Sequence, residues 1–406
     1  MLGFAGRVHA QAPTVGNCPV LPADNIWNTP IDQLPVSPNS STYVNTIGAT
    51  AGVHADFGSG SWDGELIGMP VTIVPGTQTK YPVSFTYASE SDPGPYAVPL
   101  NATVQGSPTS TGDRHVITID VDNCILYELY AAYPQAAGWQ AGSGAIYNLF
   151  SNNLRVASWT SADAAGLPMF PGLVRYDEVL AGEIRHAVEF TVPQTQKAYV
   201  WPARHQASPL TGAQYPPMGV RFRLRADFDI SSFSPTNQII LRALKKYGMM
   251  IIDNGAPWFI SGVHDERWNN NELHDLGRIH GSDFEVVDVS GLMISPDSGQ
   301  ARQSAAVPPP APPPAPVSVT ISPDRAMVRI NRIQRFTATV MNTSNPAVTW
   351  QVNGIAGGNA YFGFISSLGT YMAPAHAPAV WSVTVSAVSV ADPTKSASAS
   401  VKVIRR

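Results

Sequence analysis

Hydrophobic and polar residues alternate with a period of two along most of the chain, and this pattern predicts short β-strands separated by turns. The run RHVITIDVDNCILYELYAAYP, which begins at Arg114, is predicted to form two strands joined through Asp122 and Asn123. Glu128 lies in the second of these strands, where a carboxylate among so many apolar residues must point outward or be paired. We therefore predict a mainly β fold, with a β-rich large domain that contains a few short helices.

Helical spacing is rarer and more local. The clearest case is TNQIILRALKKYG, which has Ser234 as N-cap, Pro235 at the first helical position and Gly248 as the stop. A short helix is also expected from Ser40 to Ile47, and the segment PGLVRYDEVLAGEI, which begins at Pro171, predicts another helix capped by Gly182.

A proline-rich break divides the 406-residue chain. The run PPPAPPPAP from Pro308 to Pro316 predicts a stiff polyproline II spacer. We expect residues 1–16 to be a signal-peptide remnant or a disordered tail, and residues 17–296 to be a β-rich candidate catalytic domain. Residues 297–317 are then the proline-rich linker, and residues 318–404 a second, smaller domain.

The second domain has the pattern of a β-sandwich made of short alternating strands. The segments VSVTISP, RFTATV, NPAVTWQVNG, LGTYMAPA and WSVTVSAVSVADPTKSASASVKV give residues 317–404 a resemblance to the bacterial Ig-like type-2 repeat. This resemblance implies an Ig-like β-sandwich that serves as a spacer or a weak binder of glycans or surfaces, with Trp350 in its core.

The large domain also carries a specific set of motifs. These are ESDPGPY, GDRHV, NCILYELY, SADAAGLPMFPGLVRYDEV, AGEIRHA, PARH, PPMGVRFRL and GSDFEVVD, in this order. With them, residues 20–292 resemble a widespread family of secreted proteins from soil bacteria. The resemblance implies the organisation of the domain and implies no particular reaction.

Composition and charge narrow the possible partners. Charged residues make up 13% of the chain and the formal net charge is −4, so the protein lacks the basic field that collects nucleic acid. The chain has no run of 18 apolar residues, so we predict no membrane span. We expect a monomer whose partner is an extracellular polysaccharide.

Two features favour export from the cell. Cys18 and Cys124 have neither CxxC nor zinc-ligand spacing, so a disulfide is favoured over metal or redox chemistry. The N-terminus also ends in the small-residue pattern HAQA that signal peptidase prefers. We predict a secreted, extracellular protein.

Candidate chemistry is concentrated between Trp159 and His205, where ionisable residues cluster in a chain that is otherwise poor in charge. Paired carboxylates hydrolyse glycosidic bonds when one of them has a raised pKa. Asp177 and Glu178 are adjacent, so a helix would point them about a hundred degrees apart. We therefore predict Asp163 and Glu183 as the acid/base pair of a glycoside hydrolase, although Asp163 is equally suited to capping the next segment.

Other residues of the stretch fit substrate positioning and binding. We predict that His186, His205 and Arg204 complete the catalytic set. The predicted substrate-binding residues are aromatic or acidic side chains: Trp159, Trp201, Tyr176 and Asp92.

Three alternatives stay open. A polysaccharide lyase would use His, Tyr and Arg side chains on a uronate polymer. A metal site could draw on His54, His115, His186 and His205 with Glu128 or Glu183. However, Gly182 interrupts the helix that would bring Glu183 and His186 together, so we predict neither a metal nor a cofactor. A non-catalytic adhesion or matrix protein would carry the charged cluster as an internal ion-pair network.

Overall fold

The computed structural model describes residues 12–106, 108–302, 317–376 and 381–405. The chain divides into two compact units, Met1–Ser304 and Ala305–Arg406. The division falls within the predicted linker, of which residues 303–316 lie outside the described residues, as do residues 1–11 of the predicted tail. The fold is mainly β, with 35% strand and 13% helix.

The large unit combines many short strands with short helices. Its strands are β1 (Thr14–Val15), β2 (Cys18–Pro19), β3 (His54–Asp56), β4 (Ser61–Trp62), β5 (Glu65–Leu66), β6 (Val71–Val74), β7 (Val83–Phe85), β8 (Val116–Asp120), β9 (Ile125–Tyr130), β10 (Tyr133–Gln135), β11 (Gly138–Ala141), β12 (Ser143–Asn148), β13 (Val188–Val192), β14 (Arg221–Leu224), β15 (Met249–Asn254), β16 (Phe259–Ser261) and β17 (Phe284–Val287). Its α-helices are α1 (Ser40–Ile47), α2 (Tyr176–Leu180), α3 (Pro235–Lys246) and α4 (Asn270–His274). Single 3₁₀ turns cover Ile26–Asn28, Ala88–Glu90, Phe170–Gly172, Asp275–Arg278, Gly281–Asp283 and Ser290–Leu292.

Two mixed sheets form the body of this unit. One has the strand order β17-β14-β15-β13-β16-β3, with parallel β13/β15 and β16/β3 pairs. The other has the order β12-β9-β8-β6, with a parallel β6/β8 pair. Stacked rings fix the first sheet: Trp258 lies 5.7 Å from Phe190 and 5.3 Å from Phe284 between ring centroids. Every residue of β8 is buried, so both faces of this strand pack against protein.

Helix α3 confirms the prediction made from its end signals. The Ser234 side chain accepts from the Asn237 N–H, Pro235 occupies the first turn, and Gly248 follows in the left-handed region at φ 69°. Helix α1 also has the predicted bounds, Ser40–Ile47.

The helix predicted to begin at Pro171 is wrong over its first half. Residues 170–172 form a 3₁₀ turn, and Val174 is extended because it bridges to Gly262. The Arg175 Nη1 then donates to the Phe170 and Leu173 carbonyls at 3.0 and 3.2 Å, which stabilises the bend, so α2 begins only at Tyr176. Tertiary pairing here overrides the local helical signal.

Residues 297–302, assigned to the linker from the sequence, pack in the large unit. Gln300 bridges to Asn25 and donates from Nε2 to Asp24 at 2.7 Å, and Ala301 is buried. The spacer therefore begins later than residue 297.

The second unit is made of strands: β18 (Ser318–Ser322), β19 (Arg325–Arg329), β20 (Ile333–Arg335), β21 (Thr337–Met341), β22 (Val348–Val352), β23 (Ile355–Ala356), β24 (Gly358–Asn359), β25 (Gly363–Ile365), β26 (Thr370–Met372), β27 (Ser382–Ser389) and β28 (Ser396–Ile404). Its main sheet has the order β19-β28-β27-β22-β23, beside a sheet of order β20-β26-β25-β24 and the pair β18-β21. Trp350 lies in the core of this unit, as expected. The Ig-like assignment stays a prediction.

Candidate active site

A cavity of about 400 Å³ lies in the large unit where strand ends of the two mixed sheets meet. Tyr130 and Ser143 line it from one sheet, and Asp253 and Asn254 line it from the other. Its ionisable lining residues are Tyr87, Glu90, Asp113, Tyr130, Asp163, His205 and Asp253. The volume suits a small ligand such as a sugar unit.

Asp253 is the carboxyl group at the end of strand β15. Its Oδ1 accepts from the Asn254 N–H at 2.6 Å, and the residue as a whole is half-buried. Burial of the carboxyl raises the pKa of Asp253 to about 7; the Asn254 N–H opposes this shift, and the negative charge of Asp113 adds to it. Near neutral pH this group can therefore both hold and release a proton.

Asp113 lies just before strand β8, and its side chain is exposed. Its carbonyl accepts from the Ala131 N–H at 2.8 Å, which fixes the backbone beside the end of β9. Asp113 and Asp253 both line this cavity, and the charge of Asp113 makes a small contribution to the raised pKa of Asp253.

Asp163 also lines the cavity, but its carboxyl organises the surrounding loop. Oδ1 accepts from the Leu167 N–H at 3.1 Å and lies 3.2 Å from the Ser161 hydroxyl. Oδ2 is buried without a hydrogen-bond partner. Burial holds the pKa of Asp163 well above its usual range, and nearby Asp253 and Glu128 reinforce the effect although the Leu167 N–H opposes it. Asp163 therefore anchors its own loop through the Leu167 N–H and forms part of the cavity wall.

Two further carboxyl groups, those of Glu128 and Glu189, are fully buried and interact electrostatically with Asp163. Burial raises the pKa of Glu128 to about 7, although its Oε1 accepts from the Met169 and Phe170 N–H groups at 3.0 and 2.9 Å. Glu189 on β13 is also fully buried, and neither of its oxygens has a hydrogen-bond partner of normal geometry. Burial holds the pKa of Glu189 well above its usual range, with further contributions from Asp163 and Glu128. Asp163, the one of these three coupled acids that lines the cavity, is thus backed by two further buried carboxyl groups.

Of the histidines predicted for catalysis, only His205 lines this cavity. Its Nδ1 donates to the Ala164 carbonyl at 2.8 Å, which orients the ring beside the loop that carries Asp163. His186 is fully buried elsewhere, with Nδ1 2.7 Å from the Ala187 carbonyl and Nε2 3.0 Å from Glu178 Oε2. It therefore supports the fold around α2.

Glu183, the predicted partner of Asp163, lies outside this cavity. Its half-exposed carboxylate pairs with Arg185 at 2.9 Å and with Lys246 at 3.1 Å. Partial burial works against ionisation, but these two cations outweigh it and lower the pKa of Glu183. The ion pair with Lys246 links α3 to the segment after α2, so this surface carboxylate stabilises the fold.

Arg204 and Trp201 form hydrogen bonds that hold residues 296–298 in place. The buried Arg204 guanidinium donates to the Arg155 and Pro296 carbonyls at 2.7 and 2.6 Å and pairs with Asp297 at 2.6 Å. The Trp201 indole N–H donates to the Ser298 carbonyl at 2.8 Å. Both side chains therefore fasten residues 296–298 to the large unit.

The other predicted binding residues do not line the cavity that contains Asp113, Asp163 and Asp253, which we call the carboxyl cavity. Trp159 and Asp92 line a neighbouring cavity, where Asp92 pairs with Arg155 at 2.6 Å. Tyr176 packs edge-on against Trp268, with 4.8 Å between ring centroids, and Arg267 covers its ring.

Sequence reasoning missed Asp113, Asp253 and Glu90. Asp253 lies at the end of an apolar strand and precedes Asn254 and Gly255. Because these three residues favour a turn, the sequence indicated a turn at this point and gave no sign of a functional site. A polar residue at the end of a buried strand was the available signal.

The predicted disulfide is present between Cys18 and Cys124, which are 106 residues apart in the chain. Within the described residues, no three His, Cys, Asp or Glu side chains are grouped so that they could hold a metal ion. In that same part of the chain, no helix has the length and apolar character needed to cross a membrane.

No protein-family model matches the chain, and a search of curated proteins finds no match. The two resemblances drawn from the sequence therefore stay predictions.

Proposed function

We propose that the protein is a secreted glycoside hydrolase that degrades an extracellular polysaccharide, with Asp253 and Asp113 as its catalytic carboxyls. The observation that carries this proposal is that both line one cavity and that the charge of Asp113 helps to raise the pKa of Asp253 to about 7. Glycoside hydrolysis uses two carboxyl groups, one of which has a raised pKa and donates a proton to the leaving sugar. The disulfide between Cys18 and Cys124 is compatible with an extracellular location.

The raised pKa of Asp253 assigns it the role of proton donor, which leaves Asp113 as the second carboxyl group. Protonated Asp253 donates its proton to the oxygen of the leaving sugar as the glycosidic bond breaks. Asp113 acts on the other side of the bond, either by taking a proton from the attacking water or by attacking the anomeric carbon itself. Asp163 holds the loop that forms the wall, and His205 lies against that loop as a contact for substrate hydroxyls.

Lyase chemistry is the second candidate because Tyr130 and His205, two side-chain types that act as bases, line the cavity. A uronate substrate also needs its carboxylate neutralised. Among the described residues, no Arg or Lys side chain lines this cavity, whereas Glu90 and Asp113 do. This charge distribution favours hydrolysis of a neutral glycan.

The test is to screen the purified full chain on plant and microbial polysaccharides, measuring both new reducing ends and the ultraviolet absorbance of unsaturated uronates. We expect reducing ends without unsaturated products. Asp253→Asn should lower the rate by at least about a hundredfold, whereas Asp32→Asn, at an exposed carboxylate outside the cavity, should retain it. Unsaturated products would favour the lyase, and no product from any glycan would refute both enzymatic proposals.

A further inference from the structure

A second cavity, of about 330 Å³, borders the carboxyl cavity. Two short segments contribute residues to both cavities, with neighbouring residues of each segment lining different cavities. Trp159 lines the second cavity and Thr160 lines the first; likewise, Asp92 lines the second and Glu90 the first. The two cavities are therefore separated by a thin wall made from these two segments.

Arg155 holds this wall together. Its buried guanidinium pairs with Asp92 at 2.6 Å, donates from Nη2 to the Glu90 carbonyl at 2.8 Å, and donates from Nε to the Thr160 carbonyl at 2.8 Å. Glu90 Oε2 also accepts from the Thr160 N–H at 3.1 Å. These bonds join both segments, so the two cavities keep a fixed spacing.

The second cavity has the chemistry of a sugar-binding site. The half-buried Trp159 contributes an aromatic ring, and Asn148 and Asn153 contribute amide side chains. Aromatic rings pack against the apolar face of a sugar, while amides donate to and accept from its hydroxyls. The Asp92–Arg155 pair neutralises its own charge, so the cavity suits an uncharged ligand.

We propose that this second cavity binds a further sugar unit of the same neutral polysaccharide chain, and that the chain crosses the Arg155 wall into the carboxyl cavity. This inference rests on the proposed function, because it takes the first cavity as the place of bond cleavage. It assigns Trp159 and Asn153 as specificity residues for chain length.

The test compares kcat/KM on long and short substrates that contain the sugar of the polysaccharide that the enzyme cleaves. Trp159→Ala should lower kcat/KM on the polymer and on long oligosaccharides by at least about tenfold. On a short aryl glycoside of the same sugar it should change kcat/KM by less than about twofold. Asn153→Ala, at an exposed position, should give the same length dependence with about a fivefold loss, and Trp159→Phe should restore most of the activity. Trp62→Ala, at an exposed tryptophan of a different cavity, is the matched control.

Equal losses on short and long substrates, or no loss on either, would overturn the inference. If the wild type cleaves no glycan, the proposed function fails but the subsite is still tested by affinity electrophoresis of the wild type in gels that contain each polysaccharide of the panel. Retardation that Trp159→Ala abolishes and Trp62→Ala preserves would support the subsite. Migration that is the same for all three proteins would overturn it.

Discussion

The buried Glu128 predicts a measurable dependence of stability on pH. Its pKa is raised from 4.5 to about 7 in the folded protein. Below about pH 4.5 both the folded and the unfolded states hold this proton, so no penalty exists. Between about pH 4.5 and pH 7 the unfolded state ionises while the folded state stays protonated. The free energy of unfolding therefore falls by about 1.4 kcal/mol per pH unit, or by about 3 kcal/mol in all.

Glu128→Gln removes this titration. The amide oxygen can still accept from the Met169 and Phe170 N–H groups, while the amide nitrogen replaces Oε2, which lies 3.1 Å from the Met169 nitrogen. We expect this mismatch to cost about 1 kcal/mol at about pH 5. At about pH 8 the variant should be more stable than the wild type by about 2 kcal/mol, which is the removed penalty less this cost.

Urea unfolding of the full chain, followed by tryptophan fluorescence at several pH values, measures this difference. Of the nine tryptophans only Trp350 and Trp381 belong to the second unit, so the signal reports mainly on the large unit. Glu183→Gln is the control: the pKa of Glu183 is lowered, so it does not titrate between about pH 5 and pH 8. A Glu128→Gln variant that loses as much stability as the wild type over this range would refute the reasoning.

Three further predictions follow from the same structure. The kcat/KM of the wild type should fall above about pH 7 as Asp253 loses its proton; initial rates across pH measure this, and a flat profile to about pH 9 would contradict it. Replacing Cys18 and Cys124 with serine opens a loop between residues 106 apart, and should cost about 5 kcal/mol of unfolding free energy in urea titrations; an unchanged midpoint would contradict the loop-entropy argument. Arg204→Met removes bonds to the Arg155 and Pro296 carbonyls and to Asp297, and should cost about 2 to 4 kcal/mol with little change in KM; normal stability with a raised KM would instead indicate substrate contact.

Features of this fold that depend on adjacent residues could be predicted from the sequence. Helix α3 is specified by Ser234, Pro235 and Gly248, each of which acts within one turn of its own position. The β8–β9 pair follows from alternation and from the turn at Asp122 and Asn123. The disulfide prediction also holds, because the chain has only two cysteines and neither has metal-ligand spacing.

The candidate site could be predicted only in part because its residues come from distant segments. Asp113 precedes β8 and Asp253 ends β15, and only the packing of two sheets brings them to one cavity. The charge-rich stretch supplied Asp163 and His205 to this cavity, whereas Glu183, His186 and Arg204 serve local ion pairs and hydrogen bonds. A cluster of charges in sequence therefore did not correspond to a cluster in space.

The central claim is that Asp253 is the proton donor and Asp113 the second catalytic carboxyl group. The most direct test measures kcat/KM of both Asn variants on two substrates: the natural polysaccharide, and an aryl glycoside whose leaving group needs no protonation. Asp253→Asn should lose at least about a hundredfold on the polysaccharide but retain most activity on the aryl glycoside, whereas Asp113→Asn should lose activity on both. Equal activity of Asp253→Asn and wild type on the polysaccharide would contradict the account.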